Sequence, residues 1–273
     1  MAFTEIKTYP LSQVDPTVNL TAYVAPACPE QPFNEKRRGI LVCPGGAYTI
    51  VAQREADPVA IAFLAKGFNV FVLSYTVNNK NHAGKKFPTQ LIEAATAMKF
   101  IKDHAEEFHV DPDKIFVMGF SAGGHLAASF GILYNSSYVK NALKIKENEL
   151  RPAGMILGYP VITAGKYSHK GSIQNILFDE YDDEKKREEV SLEKRVDDNT
   201  VPTFLWHTRT DDCVPVQNTL LLASALVEHG VPLELHIFPE GNHGASLATP
   251  IVGWNNPLIA TWVDHAVRWA NGI

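Results

Sequence analysis

Short apolar runs alternate with stretches of helical period along nearly the whole chain, and this rhythm restricts the fold more than any other feature. The runs cover residues 18–24, 39–43, 68–75, 114–119, 154–159, 202–207 and 233–238, and the helical patterns cover 55–66, 88–107, 122–134, 216–229 and 257–270. In the second of these patterns Leu91, Ala94, Ala95, Met98, Ile101 and Ala105 recur so that they share one face, as a helix covering a sheet requires. Strand, helix and strand repeated this often imply a mostly parallel sheet buried on both sides. The expected fold class is therefore α/β: a twisted, mostly parallel sheet with helices on both faces. At 273 residues, with no Gly/Ser-rich linker and no internal repeat, the chain reads as one domain over 1–273. Only residues 166–198 break the rhythm. They turn polar, most densely from Asp179 to Glu189, and admit no strand. They read either as a solvated helical excursion or as a small cap inserted between strands and bordering a site.

Ser121 sits in Gly119-Phe120-Ser121-Ala122-Gly123, directly after the apolar run 114–119 and before an alanine-rich helical stretch. A strand that turns sharply into a helix strains the central residue and crowds its neighbours, so the flanking positions have little room for a β-carbon. Such an elbow lifts the serine oxygen above the sheet edge and directs the first helical amides at whatever the oxygen attacks. A serine nucleophile also needs a base, an orienting acid and a place for negative charge.

Of the ten histidines, His243 is best placed as the base, in the glycine-bracketed loop Gly241-Asn242-His243-Gly244 after the run 233–238. Loops at the carboxyl ends of parallel strands are where such sheets collect their sites. His82, His104, His109, His169, His229 and His265 stand in polar or helical contexts that suit the surface. His207 and His236 lie in strands and suit structural hydrogen bonds, and His125, one turn beyond Ser121, suits packing or support of the site. For the acid, Asp211 and Asp212 adjoin in the loop after the run 202–207. Asp211 is chosen because it holds the D-x-x-V-P position, whereas Asp212 suits a turn or helix start. The charge site is placed at Cys43-Pro44-Gly45-Gly46-Ala47, where side-chain-poor residues let backbone approach a ligand. The amides of Gly46, Ala47 and Ala122 are the expected oxyanion donors. Pocket walls are expected from 166–198 and from the neighbourhood of Tyr48 and Arg54.

Composition narrows the partners. The net charge of −5 with no basic stripe argues against nucleic acid and anionic membrane surfaces. No stretch approaches the roughly 18 apolar residues of a membrane span. The start lacks a basic region followed by an apolar run, so the expected location is cytoplasmic. Three cysteines at unrelated spacings, Cys28, Cys43 and Cys213, suit reduced thiols and small buried hydrophobes.

Gly119 to His125, the Pro44 to Tyr48 turn, the Asp211 to Pro215 loop and Gly241 to Gly244 together resemble the α/β-hydrolase superfamily. The order serine, acid, histidine is that of the superfamily. Within it the chain resembles the bacterial esterase/lipase group of acetyl-xylan or sugar esterases, related to hormone-sensitive-lipase-like carboxylesterases. It departs from the lipase-like relatives in carrying Pro44-Gly45-Gly46-Ala47 where they have His-Gly-Gly-Gly. The resemblance implies hydrolysis of small esters, commonly acetylated sugars, with neither metal nor organic cofactor, and leaves a homo-oligomer open. A cytoplasmic enzyme would meet short acetylated sugars rather than polymeric xylan. With a histidine base, whose reference pKa is about 6.5, near-neutral pH would suit it. The alternatives are a prolyl-oligopeptidase-type peptidase and a non-catalytic binding module that kept the fold.

Overall fold

The computed structural model of the chain describes residues 4–26, 30, 36–78 and 84–273, so Cys28 and His82 lie outside the described residues. Among the described residues eight strands form one sheet: β1 (Glu5–Pro10), β2 (Asn19–Val24), β3 (Arg37–Cys43), β4 (Asn69–Ser74), β5 (Val110–Phe120), β6 (Met155–Gly158), β7 (Thr203–Thr208) and β8 (Leu233–Phe238). Their order is β1-β2-β4-β3-β5-β6-β7-β8. From β4 to β8 every neighbouring pair is parallel, while β1 with β2 and β2 with β4 are antiparallel. This is the α/β-hydrolase fold.

Period-2 alternation sorts the strand residues into two cores. Leu41, Val117, Leu157 and Leu205 point to the face covered by α2 (Thr89–Asp103), α3 (Ser121–Leu133) and α7 (Gln217–Glu228). Ile40, Val42, Phe116, Met118, Ile156, Phe204 and Trp206 point to the other face, under α1 (Asp57–Leu64) and α9 (Trp262–Gly272). Helix α3 is buried from end to end. The sheet lies on one side of it, and α2 and residues of 166–198 lie on the others.

The structure differs from the expectations where burial is weak or where one side chain redirects the backbone. Strand β1 had no apolar signature to betray it, because it pairs at the sheet edge and is almost wholly exposed. The helix expected over 257–270 divides at Thr261 into α8 (Pro257–Ala260) and α9. There the Thr261 hydroxyl donates back to the Leu258 carbonyl at 2.6 Å. A short helix, α4 (Ser137–Leu143), follows α3 unannounced. Segment 166–198 contains no strand but folds into α5 (Lys170–Leu177), α6 (Glu184–Glu189) and two 3₁₀ turns. It is more than a solvated excursion, since Ile173, Ile176, Leu177, Val190 and Leu192 join the core over α3. Among the described residues, no helix is long and apolar enough to cross a membrane.

Candidate active site

Strand β5 ends at Phe120 in extended backbone, and α3 begins with the next residue. Ser121 itself is left-handed, with φ +53°, a conformation that non-glycine residues adopt only where the surroundings impose it. The turn leaves no space beside it. A β-carbon on Gly119 would fall inside the Gly123 carbonyl, and one on Gly123 would fall inside the carbonyls of Cys43 and Pro44. Those atoms are backbone and cannot rotate away. Gly123→Ala is therefore expected to destabilise the fold by about 3 kcal/mol or more, measured by urea unfolding against the wild-type chain; a change within 1 kcal/mol would show that the turn has slack.

Three side chains from separate loops meet above this elbow. His243 Nε2 lies 2.8 Å from Ser121 Oγ, and His243 Nδ1 lies 2.8 Å from Asp211 Oδ2. A carboxylate only accepts, so Nδ1 carries the proton and the Nε2 lone pair faces the serine. Asp211 Oδ1 accepts from the amides of Cys213 at 3.0 Å and Val214 at 2.8 Å. The turn-forming role expected of Asp212 thus falls to Asp211, and Asp212 is exposed. His207 Nε2 stands 3.2 Å from Asp211 Oδ2 while donating to the Val214 carbonyl at 3.0 Å. Burial alone would raise the Asp211 pKa, but hydrogen bonds from His207, His243 and Val214 outweigh it and hold the carboxyl well below its ordinary range. The aspartate is an anion across the working pH range.

The turn after β3 abuts the elbow, with the position of a Gly45 β-carbon 3.0 Å from Ser121 Cβ. Gly46, Ala47 and Tyr48 have φ of +125°, +54° and +59°, which curls the chain so that the amides of Thr49 and Ile50 both reach the Gly46 carbonyl. Among the described residues no backbone hydrogen bond occupies the amides of Gly46 and Ala47. Ala122, in the first turn of α3, has an amide without a helical partner.

Residues 166–198 reach this turn. Asn175 Nδ2, on α5, donates to the Ala47 carbonyl at 2.8 Å, and Asn78 Nδ2 donates to the Asn175 carbonyl at 2.9 Å. Tyr48 is fully buried rather than lining an open wall. Its hydroxyl donates to His125 Nδ1 at 2.8 Å, and His125 Nε2 donates to the Val190 carbonyl at 2.9 Å. Arg54 packs its guanidinium against Gly244, beside His243. His169 is half-buried, not a surface residue, and burial and the neighbouring His243 lower its pKa. Cys43 is buried as expected, whereas Cys213 is exposed.

Residues 29–226, most of the chain, match the BD-FAE family. The chain belongs to the BD-FAE family. This BD-FAE member is 38% identical over 223 residues to endo-1,4-beta-xylanase B of Butyrivibrio fibrisolvens, a match covering 81% of the chain and 34% of the relative. It is 31% identical over 223 residues to the acetylxylan esterase of Xylanibacter ruminicola, covering 80% of the chain and 43% of the relative. The BD-FAE chain thus spans less than half the length of these two curated relatives. Solved structures match it end to end. The acetyl ester-xyloside bifunctional hydrolase of Caldicellulosiruptor lactoaceticus superposes with TM-score 0.81 at 33% identity, covering 97% of this chain and 96% of that one. The carboxylesterase Cest-2923 of Lactobacillus plantarum superposes with TM-score 0.84 at 27% identity, covering 98% and 97%.

His125 carries a stability prediction for this BD-FAE fold. Burial lowers its pKa from 6.5 to about 4, against the smaller opposite effect of the Val190 carbonyl. Between those values the unfolded chain binds the extra proton and the folded one does not. Stability therefore rises with pH across this window, and is lost as pH falls from about 6.5 toward 4, by up to about 3 kcal/mol. Unfolding free energies at pH 7 and pH 5 should differ more for the wild type than for His125→Asn. Equal differences would remove His125 as the cause.

Among the described residues one trio brings possible metal-ligand atoms within 4.8 Å of one another: Glu234, His236 and His265. It lies on β8 and α9, apart from the loops that carry Ser121, Asp211 and His243. Arg268 Nη2, 2.9 Å from His265 Nδ1 and 3.6 Å from Glu234 Oε1, already places a positive charge there. The residues that the sequence reading passed over are Glu55, Tyr159 and Asn175, while His207 makes the structural hydrogen bonds expected of it and also reaches Asp211. Of those passed over only Tyr159, directly after a strand in Gly158-Tyr159-Pro160, carries a local signal that could have drawn notice.

Proposed function

We propose that the chain is a serine hydrolase of small carboxylic esters, with short-acyl, chiefly acetyl, esters of sugars as its substrate class. One observation carries the reading: the unbroken run from Asp211 through His243 to Ser121, with both links at 2.8 Å. Ser121 is the nucleophile, His243 the general base and Asp211 the orienting acid. His243 Nε2 takes the proton as Ser121 Oγ attacks the ester carbonyl, and the amides of Gly46, Ala47 and Ala122 receive the oxyanion. The imidazolium, held by the Asp211 carboxylate, then protonates the departing alcohol oxygen. Water enters by the same route in reverse and frees the acid from the acyl-enzyme. Losing one oxyanion donor in such a site typically costs about 3 kcal/mol of transition-state stabilisation.

The acetyl-sugar assignment draws on two relatives, an acetylxylan esterase and an acetyl ester-xyloside bifunctional hydrolase. The reading takes residues 1–273 as one catalytic domain, with 166–198 as a wall of its site, since Asn175 bonds Ala47 and His169 neighbours His243. A fluorophosphonate probe should label Ser121. A panel of p-nitrophenyl esters of increasing chain length should be cleaved fastest at acetate, and acetylated xylose should release acetic acid. An unlabelled Ser121 in folded protein would end the enzyme reading, and hydrolysis of a proline amide in preference to the esters would replace it with a peptidase.

A further inference from the structure

Glu55 is 1% exposed and takes no part in the proton relay, yet its carboxylate joins two loops of the site. Oε2 accepts from the Gly45 amide at 2.8 Å. Oε1 accepts from the Tyr159 hydroxyl at 2.8 Å, and the same phenolic oxygen accepts from the Ser246 amide at 2.8 Å. Ser246 lies three residues beyond His243. Its hydroxyl returns to the Arg54 carbonyl at 2.6 Å. Arg54 Nε stands 3.8 Å from Glu55 Oε1, and the Tyr159 ring meets the His243 ring edge-on with centroids 5.1 Å apart. Tyr159 is itself held at φ +36°.

The chemistry of this junction calls for a carboxylate. Two donors arrive on two oxygens, and a carboxamide has one acceptor, so Gln at this position must either set an N–H against the Gly45 amide or reverse the bond to the Tyr159 hydroxyl, whose own O–H then loses its acceptor. Burying an anion this deeply opposes ionisation, and burial does raise the Glu55 pKa; the Tyr159 and Gly45 hydrogen bonds and Arg54 act against that rise. A buried group this costly to keep charged, bonded at both ends to loops that carry the site, has a mechanical use. The bond to Gly45 fixes the peptide from which the left-handed turn at Gly46 and Ala47 departs. An oxyanion donor is useful only if it is oriented before charge develops.

We infer that Glu55 is a positioning residue for ester hydrolysis: its carboxylate holds the Gly45-Gly46-Ala47 turn and, through Tyr159 and Ser246, the His243 loop in fixed relation to each other. The inference rests on the serine-esterase reading above. It adds a second effect, because a buried anion near His243 favours the imidazolium that forms during attack. The charged and titratable groups facing His243 are Asp211 after β7, Glu55 and Arg54 after β3, and His169 at the start of α5, with the Tyr159 hydroxyl tied to Glu55. Removing the Glu55 charge leaves the others in place and disfavours the protonated ring.

The test compares wild type, Glu55→Gln, Tyr159→Phe and Ser121→Ala on p-nitrophenyl acetate, with kcat of the first three expressed per serine titrated by a fluorophosphonate so that unfolded protein does not count, and that of Ser121→Ala per folded protein. Glu55→Gln should lose about a hundredfold in kcat with KM changed less than about threefold. The acid limb of its kcat/KM profile should move to lower pH, a shift that loosened packing alone does not produce. Tyr159→Phe removes the link to the histidine loop together with one of the hydrogen bonds that keep Glu55 charged, and should lose about tenfold in kcat. Glu55→Gln within about threefold of wild-type kcat per serine, or with an unmoved acid limb, overturns the inference. Should that variant not fold, Tyr159→Phe decides, and kcat per serine within about threefold of wild type overturns it there. If Ser121→Ala keeps wild-type turnover, the esterase reading itself fails and this inference falls with it, an outcome distinct from an active wild type with an indifferent Glu55→Gln.

Discussion

Ser121→Ala is expected to remove at least about five orders of magnitude from kcat on p-nitrophenyl acetate while leaving the fold in place. The size follows from the proposed mechanism, in which the relay acts as a unit: without Oγ there is no acyl-enzyme, and the His243 lone pair has no proton to take. What remains is whatever the polarising amides of Gly46, Ala47 and Ala122 lend to attack by water. The substitution leaves the elbow as it is, since alanine keeps the β-carbon at φ +53° and drops only an oxygen bonded to His243. Melting temperature should therefore change little. Steady-state kinetics with fluorophosphonate labelling check both points, and residual turnover above a thousandth of wild type would point to a nucleophile other than Ser121.

Asp211→Asn should be nearly as damaging, with kcat reduced about 10⁴-fold. Asparagine can keep its oxygen on the Cys213 and Val214 amides, so the loop holds its shape. Its –NH₂ then occupies the position of Oδ2, facing ring nitrogens of both His243 and His207. Two N–H groups cannot share that space, and His243 is driven to the tautomer with its proton on Nε2. That tautomer has no lone pair for Ser121. Asp212→Asn is the control, because this neighbour is exposed, and its kcat should stay within about twofold of wild type. If the two variants behave alike, the carboxylate bonded to His243 is not the one that matters.

Much of this molecule is legible in its sequence because much of it is locally encoded. The buried strands β2 to β7 announce themselves as apolar runs, and α2, α3 and α7 show helical period, because each is held by burial that the pattern reflects. Strand β1 is held by edge pairing alone and leaves no such trace. The elbow around Ser121 is written in two glycines whose missing β-carbons are demanded within five residues. The D-x-x-V-P position marks the carboxylate that meets His243, although the turn-forming role expected of Asp212 belongs to Asp211 as well. Glu55 was not, because its hydrogen-bonding partners lie 10 residues away at Gly45 and 104 away at Tyr159. An Arg-Glu pair before a helix looks like any solvated helix start. Asn175 was hidden in the same way inside a polar segment that reads as surface, since its contact with Ala47 spans 128 residues.

The sequence by itself determined the layered α/β class, the sharp turn at Ser121 and the loops that carry Asp211 and His243, because periodicity and steric demand act between near neighbours along the chain. Only the tertiary structure decided that Ser121, His243 and Asp211 stand 2.8 Å apart in succession, that 166–198 folds down onto α3 and the turn at Ala47, and that a buried carboxylate ties the turn after β3 to the histidine loop. Those are contacts between residues distant in sequence. They depend on where the sheet brings its strand ends together, and no local pattern carries that information.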